Sequence, residues 1–251
     1  MNNLQKLFQR EQKLVIPYLL AGYPDIQTSK EAIDIALSLC PAIELGVAFS
    51  DPIADGPTLQ KAHLKALSNG ANLSLTLEIA KEAKAKHPQS SIILMTYLNP
   101  IHKLGFSNFT KRAFGAGIDA LLIPDLPAEE SAPLLRACKE EGISLILLAS
   151  LSTKEERLKR ICELSDPFVY LVSIYGTTGS KEPNLEELRE VLLKAKELCQ
   201  KPIALGFGIK TSHQAKEALK LTNLIVIGTS LALSLSESLK RFESALKELL
   251  L

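Results

Sequence analysis

Short apolar runs rich in Ile, Val and Leu recur along the chain, and each is followed by turn residues and then by a helical pattern. Eight such runs occur: LVIPYLL from Leu14, AIEL from Ala42, SIILMTY from Ser91, ALLI from Ala120, SLILLA from Ser144, FVYLVS from Phe168, PIALG from Pro202 and LIVIG from Leu224. Helical spacing is found between and after them, over residues 29–40, 75–86, 129–141, 154–164, 185–198, 213–219 and 235–250. The pattern predicts repeated βα units.

Strands that are apolar on both faces and alternate with helices predict a parallel sheet covered by helices. Eight units in 251 residues fit closure into a (β/α)8 TIM barrel, with a doubly wound open sheet as the alternative. No Pro-, Gly- or Ser-rich linker divides the chain, so we expect one domain over residues 1–251. The apolar positions Leu4, Leu7 and Phe8 predict a short helix that caps the N-terminal end of the barrel.

Charge and cysteine content narrow the class of partner. Lys and Arg number 29 and Asp and Glu 28, so the net charge of +1 favours neither nucleic acid nor a membrane surface, and small molecules or proteins are the expected partners. No signal peptide or membrane span is recognisable, which predicts a cytoplasmic protein. The four cysteines are widely spaced without a C-x-x-C pair, so we expect buried, reduced thiols and no metal site.

The stretch ELGVAFSDPIADGP, residues 44–57, carries the candidate chemistry. Glu44 lies in an apolar strand, where an anion is costly to bury, so we expect it at the barrel mouth with a raised pKa, as a general acid or base requires. The alternative is a structural Glu paired with a buried Lys or Arg. Asp51 and Asp55 follow in a proline-restricted loop, and each alone is also an ordinary turn residue.

Glycines at the last three strand exits indicate a phosphate site. The segments are SIYGTTGS at 173–180, LGFGIKTS at 205–212 and IGTS at 227–230. Glycine lets backbone N–H groups approach an anion, and strands seven and eight are where such barrels commonly bind phosphate. The four histidines show no paired spacing, so we expect them to be solvated or structural.

Several motifs together resemble one family. ELGVAFSDPIADGPTLQ is similar to the signature strand and loop of the tryptophan synthase alpha subunit family. Further matches are PYLLAGYPD from Pro17, TYLNPI from Thr96, LLIPDLPAEES from Leu121, GTTG from Gly176 and GFGI from Gly206, so the resemblance runs through nearly the whole chain.

The resemblance implies retro-aldol cleavage of indole-3-glycerol phosphate without metal or organic cofactor, and a beta-subunit partner in a heterotetramer of two alpha and two beta chains. It assigns the acid/base role to Glu44 and the contact with the indole N–H to Asp55. By the same match the indole pocket and its closing loop comprise Tyr18, Tyr97, Leu122, Tyr170, Thr178 and Phe207. The phosphate would be held by Gly179, Gly208, Gly228 and Thr229.

The chain departs from the family pattern at two loops. Ala48 stands where the family has Pro, and Ile174 and Tyr175 stand where it has Arg and a small residue. Ala in place of Pro raises the entropy cost of ordering a loop by about 0.4–1 kcal/mol. These departures keep open an alternative function, a catalytically weak alpha-type subunit that mainly activates a beta partner. Another phosphate-binding barrel is disfavoured, because such families lack the SDPIADGP loop after their second strand.

Overall fold

The computed structural model describes residues 1–9, 13–172, 185–206, 209 and 211–250. Its sheet contains eight strands: β1 Leu14–Leu20, β2 Ala42–Gly46, β3 Ser91–Met95, β4 Ala120–Leu122, β5 Ser144–Ser150, β6 Val169–Val172, β7 Ile203–Gly206 and β8 Leu224–Ile227. Each strand pairs in parallel with the next, and β8 pairs with β1, where Leu14 is level with Leu224. The predicted eight-stranded barrel is confirmed, and the open-sheet alternative is wrong.

Helices connect the strands and cover the barrel. They are α1 Asn3–Leu7, α2 Ile26–Leu39, α3 Pro57–Ser68, α4 Leu73–Lys86, α5 Leu98–Leu104, α6 Phe106–Gly115, α7 Ala132–Glu141, α8 Glu155–Leu164, α9 Leu185–Leu198, α10 Ser212–Leu221, α11 Thr229–Glu237 and α12 Leu239–Leu250. The helical spacing predicted the positions of α2, α4 and α7–α10, whereas α3, α5 and α6 were not among the predicted helices.

The predicted helix over residues 235–250 is interrupted at Ser238. This residue is extended, with φ −173° and ψ 160°, and its hydroxyl accepts a hydrogen bond from Arg241 N at 3.1 Å. A serine that binds the backbone N–H three residues ahead is an N-cap, so it begins a new helix. Leu235 therefore belongs to α11, and the rest of the apolar stripe belongs to α12.

The strand residues alternate between two apolar layers, as the two-residue period of a strand requires. On β2, Ile43 and Leu45 pack in the layer between barrel and helices, whereas Ala42 packs in the barrel interior. Residues of the same parity as Ala42 therefore point into the barrel. Glu44 is one of them.

The N-terminal helix caps the barrel as predicted. Asn2 N-caps α1, and Leu4 is fully buried in the interior layer. The Asn2 amide donates to Asp119 O at 2.8 Å, and the Gln5 amide donates to Asp166 Oδ2 at 2.6 Å. The cap is thus held by the apolar contacts of Leu4, Leu7 and Phe8 and by polar contacts to the segments before β4 and β6.

The cysteines differ from the expectation of four free thiols. Cys162 on α8 and Cys199 after α9 form a disulfide, while Cys40 and Cys138 are free and buried. The expectation was wrong for the first pair because two consecutive outer helices bring residues 37 positions apart together. Among the described residues no helix has the length and apolar character needed to cross a membrane.

Candidate active site

Glu44 points into the barrel interior. It lies on β2 level with Tyr18 of β1, and only 2% of it is exposed. Its Oε2 is buried and has no hydrogen-bond partner among the described residues, and no lysine or arginine there forms a salt bridge with it. A structural Glu would be neutralised by a cation, so the geometry favours the acid/base interpretation.

The electrostatics of the interior keep Glu44 protonated. Burial, and secondly the nearby charge of Asp55, raise the pKa of its carboxyl from the ordinary value of 4.5 to about 8. At neutral pH the side chain is therefore mostly a neutral acid with a proton to give. A pKa near the working pH is what efficient proton transfer needs.

Asp55 reaches the same space from the loop between β2 and α3. Gly56 and Pro57 begin α3 directly after it, and only 1% of Asp55 is exposed. The hydroxyl of Tyr97, which follows β3, donates to Asp55 Oδ2 at 2.9 Å, while Ala54 N donates to that hydroxyl oxygen at 3.2 Å. The loop is therefore anchored on the neighbouring strand exit, and its carboxylate has a fixed direction.

Two further tyrosines complete the polar lining of the interior. Tyr18 and Tyr170 are both buried, and burial together with the carboxyls of Glu44 and Asp55 raises the pKa of each hydroxyl well above its ordinary value. Both hydroxyls thus stay protonated. The ring of Tyr18 fits only because residue 46 is glycine, since a Cβ at that position would overlap it.

One cavity joins these groups. It is lined by Tyr18, Glu44, Asp55, Leu59, Met95, Tyr170, Ile209, Val226, Gly228 and Thr229. The structure thus brings together the two candidate carboxyls, two candidate indole-pocket tyrosines and two candidate phosphate residues. Tyr97 is outside this lining and acts on it through Asp55, and Leu122 is a buried inward-facing residue at the end of β4.

The phosphate candidates lie where β8 ends. Gly228 precedes α11, Thr229 is the first residue of that helix, and the Ser230 hydroxyl is buried without a hydrogen-bond partner among the described residues. A helix N-terminus presents free N–H groups and a partial positive charge, which suits an anion. The remaining predicted residues of the site, Thr178, Gly179, Phe207 and Gly208, lie outside the described residues, as do the departures Ile174 and Tyr175.

Sequence reasoning missed several residues of the site. His63 of α3 is 2% exposed and lies against Asp55, whereas the sequence predicted only a solvated or structural histidine. The lining residues Leu59, Met95, Ile209 and Val226 were missed as well. For Leu59 and His63, the apolar spacing of residues 59, 62, 63 and 66 was an available signal, because it marks one helical face.

No group of three or more His, Cys, Asp or Glu side chains that could hold a metal ion occurs in the part of the chain that the structure describes. The site combines a protonated carboxyl, a second buried carboxyl and the N-terminus of α11 around one cavity with polar and apolar lining. This arrangement is compatible with a reaction that transfers protons.

Comparisons with known proteins agree on one family. A family model described as tryptophan synthase alpha chain matches residues 4–251. The alpha chain of Pyrococcus furiosus is 40% identical over 235 residues, covering 93% of this chain and 94% of the relative. That of Thermococcus kodakarensis is 38% identical over 240 residues, covering 95% and 94%.

Solved structures give the same result. A chain of the tryptophan synthase a2b2 complex from Pyrococcus furiosus superposes with a TM-score of 0.87 at 38% identity, covering 95% of this chain and 98% of that one. A chain of tryptophan synthase from Mycobacterium tuberculosis superposes with a TM-score of 0.88 at 32% identity, covering 95% and 91%.

Proposed function

Because the chain belongs to the tryptophan synthase alpha chain family, we propose that it cleaves indole-3-glycerol phosphate into indole and glyceraldehyde 3-phosphate, a lyase reaction of tryptophan biosynthesis. The observation that carries the proposal is the buried pair of carboxyls in one cavity. Glu44 holds a proton at neutral pH, and Asp55, which is fixed by Tyr97, lines the same cavity.

The two carboxyls have complementary tasks in this reaction. Protonated Glu44 gives its proton to C3 of the indole ring, and the ring nitrogen becomes positive. Asp55 accepts a hydrogen bond from the indole N–H and stabilises the positive charge on the ring nitrogen as it develops. Glu44, now a carboxylate, takes the proton of the hydroxyl on the adjoining side-chain carbon. The carbon–carbon bond breaks, its electron pair returns to the ring, and a carbonyl forms, so that Glu44 ends protonated as it began.

The remaining site residues bind the two halves of the substrate. The indole half would contact or be enclosed by Tyr18, Tyr97, Leu122, Tyr170, Thr178 and Phe207. The phosphate half would contact Gly179, Gly208, Gly228 and Thr229, with the N-terminus of α11 supplying backbone donors. The proposed reaction uses proton transfer alone and draws on no metal or organic cofactor.

The proposed partner is a tryptophan synthase beta subunit in a complex of two alpha and two beta chains. The related Pyrococcus furiosus protein is described as an a2b2 complex with mutual activation. In this chain Ile53, in the loop that carries Asp55, is 67% exposed, which offers an apolar contact at the rim of the site. We further propose that residues 1–251 form a single domain, because strands from both ends of the chain close one barrel. A cytoplasmic location is proposed from membership of this biosynthetic family.

The test is indole release from indole-3-glycerol phosphate, measured with and without a beta subunit. The wild-type protein should release indole, and Glu44→Gln and Asp55→Asn should each lower kcat by about 100-fold or more with the fold retained. Glu78→Gln, an exposed glutamate on α4, is the matched control and should keep wild-type turnover. Near-normal turnover in either site variant would refute the assignment.

The same assay separates the alternative function. A subunit that mainly activates its partner would show little indole release even in the complex, yet would raise the rate of the beta subunit with indole supplied from outside. That outcome would favour the regulatory interpretation suggested by Ala48.

Phosphate binding has its own test, the melting temperature with ligand. Glycerol 3-phosphate should raise it by binding the folded state, and glycerol at the same concentration should not. Thr229→Asp should abolish the shift by repelling the anion, while its own charge at a helix N-terminus favours α11. Equal stabilisation by both ligands would contradict the phosphate site.

A further inference from the structure

His63 is a buried histidine whose protonation pattern is dictated by its surroundings. It lies on α3, and its Nδ1 accepts a hydrogen bond from the backbone N–H of Phe49 at 3.1 Å. A nitrogen that accepts a hydrogen bond carries no proton, so the single proton of the neutral ring sits on Nε2. His63 therefore presents an N–H donor on the side away from Phe49.

That donor faces Asp55. The Nε2 atom of His63 lies 3.2 Å from Asp55 Oδ2, and both side chains are almost completely buried. The two atoms are close but form no hydrogen bond, and Nε2 has no other hydrogen-bond partner in the described part of the chain. A buried N–H without an acceptor is unfavourable, so a small movement of the Asp55 carboxylate that completed this bond would be favoured. Catalytic hydrogen bonds are often misaligned before substrate binds.

The two donors near Asp55 meet the same oxygen. Tyr97 donates to Oδ2 at 2.9 Å, and His63 Nε2 approaches Oδ2 as well. Within the described residues Oδ1 receives no hydrogen bond. Oδ1 is therefore the oxygen left for a ligand N–H, and its direction is set by what holds Oδ2.

The support forms a closed ring of contacts. Phe49 binds His63 through its backbone, and its ring stacks on Tyr97 with centroids 4.9 Å apart and planes 21° apart. Tyr97 and His63 then meet again at Asp55. Three residues from the loop, α3 and the exit of β3, namely Phe49, His63 and Tyr97, thus surround the Asp55 carboxylate from two sides.

We propose that His63 is a positioning residue, whose Nε2–H holds Oδ2 of Asp55 so that Oδ1 faces the indole nitrogen of the substrate. This inference rests on the proposed function for the identity of the substrate. The placement of the His63 proton and its contact with Asp55 do not depend on it.

Two substitutions test the roles of the two ring nitrogens of His63 separately. His63→Gln places an amide N–H near the position of Nε2 and keeps a donor for Asp55. His63→Asn places an oxygen near the position of Nδ1, which keeps the acceptor for Phe49 N–H but leaves no donor within reach of Asp55. His63→Asn should lower kcat by about 10- to 100-fold with KM changed by less than about 3-fold, because a misdirected carboxylate weakens charge stabilisation more than ground-state binding. His63→Gln should recover most of kcat.

A second His–Asp pair provides the matched control. His87 Nε2 lies 2.7 Å from Asp34 Oδ1, at the end of α4 and outside the cavity. His87→Asn should leave kcat and KM at wild-type values. If His63→Asn has wild-type kcat, or if the Asn and Gln variants lose kcat equally, the positioning role is refuted.

A spectroscopic measurement decides the inference independently of activity. In the wild-type protein, nitrogen NMR of His63 should show an unprotonated Nδ1 and a protonated Nε2, and the Nε2–H proton resonance should move upfield in Asp55→Asn. A protonated Nδ1, or an Nε2–H resonance that is unchanged in Asp55→Asn, overturns the inference. An inactive wild-type protein with the expected NMR pattern would instead refute the proposed reaction and leave the contact between His63 and Asp55 established.

Discussion

Replacing Glu44 by Gln should stabilise the protein, by an amount that depends on pH. Gln keeps the shape of the side chain and cannot ionise, so the variant removes only the cost of a buried negative charge. Burial, and secondly the charge of Asp55, raise the pKa of Glu44 from 4.5 to about 8 in the folded state. Between these pH values the folded chain holds a proton that the unfolded chain has released.

The sign and size of the change in stability follow from this difference in bound protons. The unfolded state binds fewer protons in this window, so the contribution of Glu44 to the free energy of unfolding is complete below pH 4.5 and is lost as pH rises through about 8. At about 1.4 kcal/mol per pKa unit, the loss approaches about 5 kcal/mol above pH 8. Glu44→Gln escapes this loss and should be more stable than wild type at pH 9 by up to about that amount.

The assay is urea unfolding of wild type and variant at pH 5 and pH 9, followed by circular dichroism. The difference in free energy of unfolding should be small at pH 5 and favour the variant at pH 9. Glu78→Gln, on the exposed face of α4, controls for removing a glutamate and should change stability little at either pH. A difference between Glu44→Gln and wild type that is the same at both pH values would refute the reasoning.

Two other outcomes follow from the same site. Asp55→Asn should lower the pKa of Glu44, because the charge of Asp55 is the second cause of its elevation. Carbon NMR of the Glu44 carboxyl should show this downward shift, and an unchanged pKa would contradict the coupling. Gly46→Ala should lower indole release by about 10-fold or more, because the new Cβ overlaps the Tyr18 ring, whereas Gly115→Ala, where a Cβ meets no neighbouring atom, should keep wild-type turnover; equal activity of the two variants would contradict the steric argument.

The strands were predictable because most of their residues are apolar and buried on both faces. The break at Ser238 was not predictable, because the apolar stripe continues through it and only the capping hydroxyl of Ser238 marks the boundary between α11 and α12. Helix α3 was missed because the breakers before it dominate the pattern, although Gly56 and Pro57 there are start signals.

The site residues also include some that the sequence reveals and some that it does not. Glu44 stands out because a carboxyl inside an apolar strand contradicts its surroundings, and that contradiction is visible in the sequence. The contact of His63 with Asp55 is not visible, because it depends on how the loop folds back over eight residues onto α3. The disulfide of Cys162 and Cys199 is hidden for a similar reason, since it depends on which sides of two helices face each other.

The cap at the bottom of the barrel also bears on the order in which the protein assembles during synthesis. Asn2 and Gln5 are synthesised before the residues that they contact, and the Asn2 contacts with Asp119 and Ser144 and the Gln5 contact with Asp166 span 117 to 161 residues. Helix α1 therefore cannot complete these contacts until Asp166 has been synthesised. Until then Leu4, which is fully buried in the folded protein, lacks part of its packing. Stable docking of α1 should thus depend on prior synthesis of the segments around β4, β5 and β6.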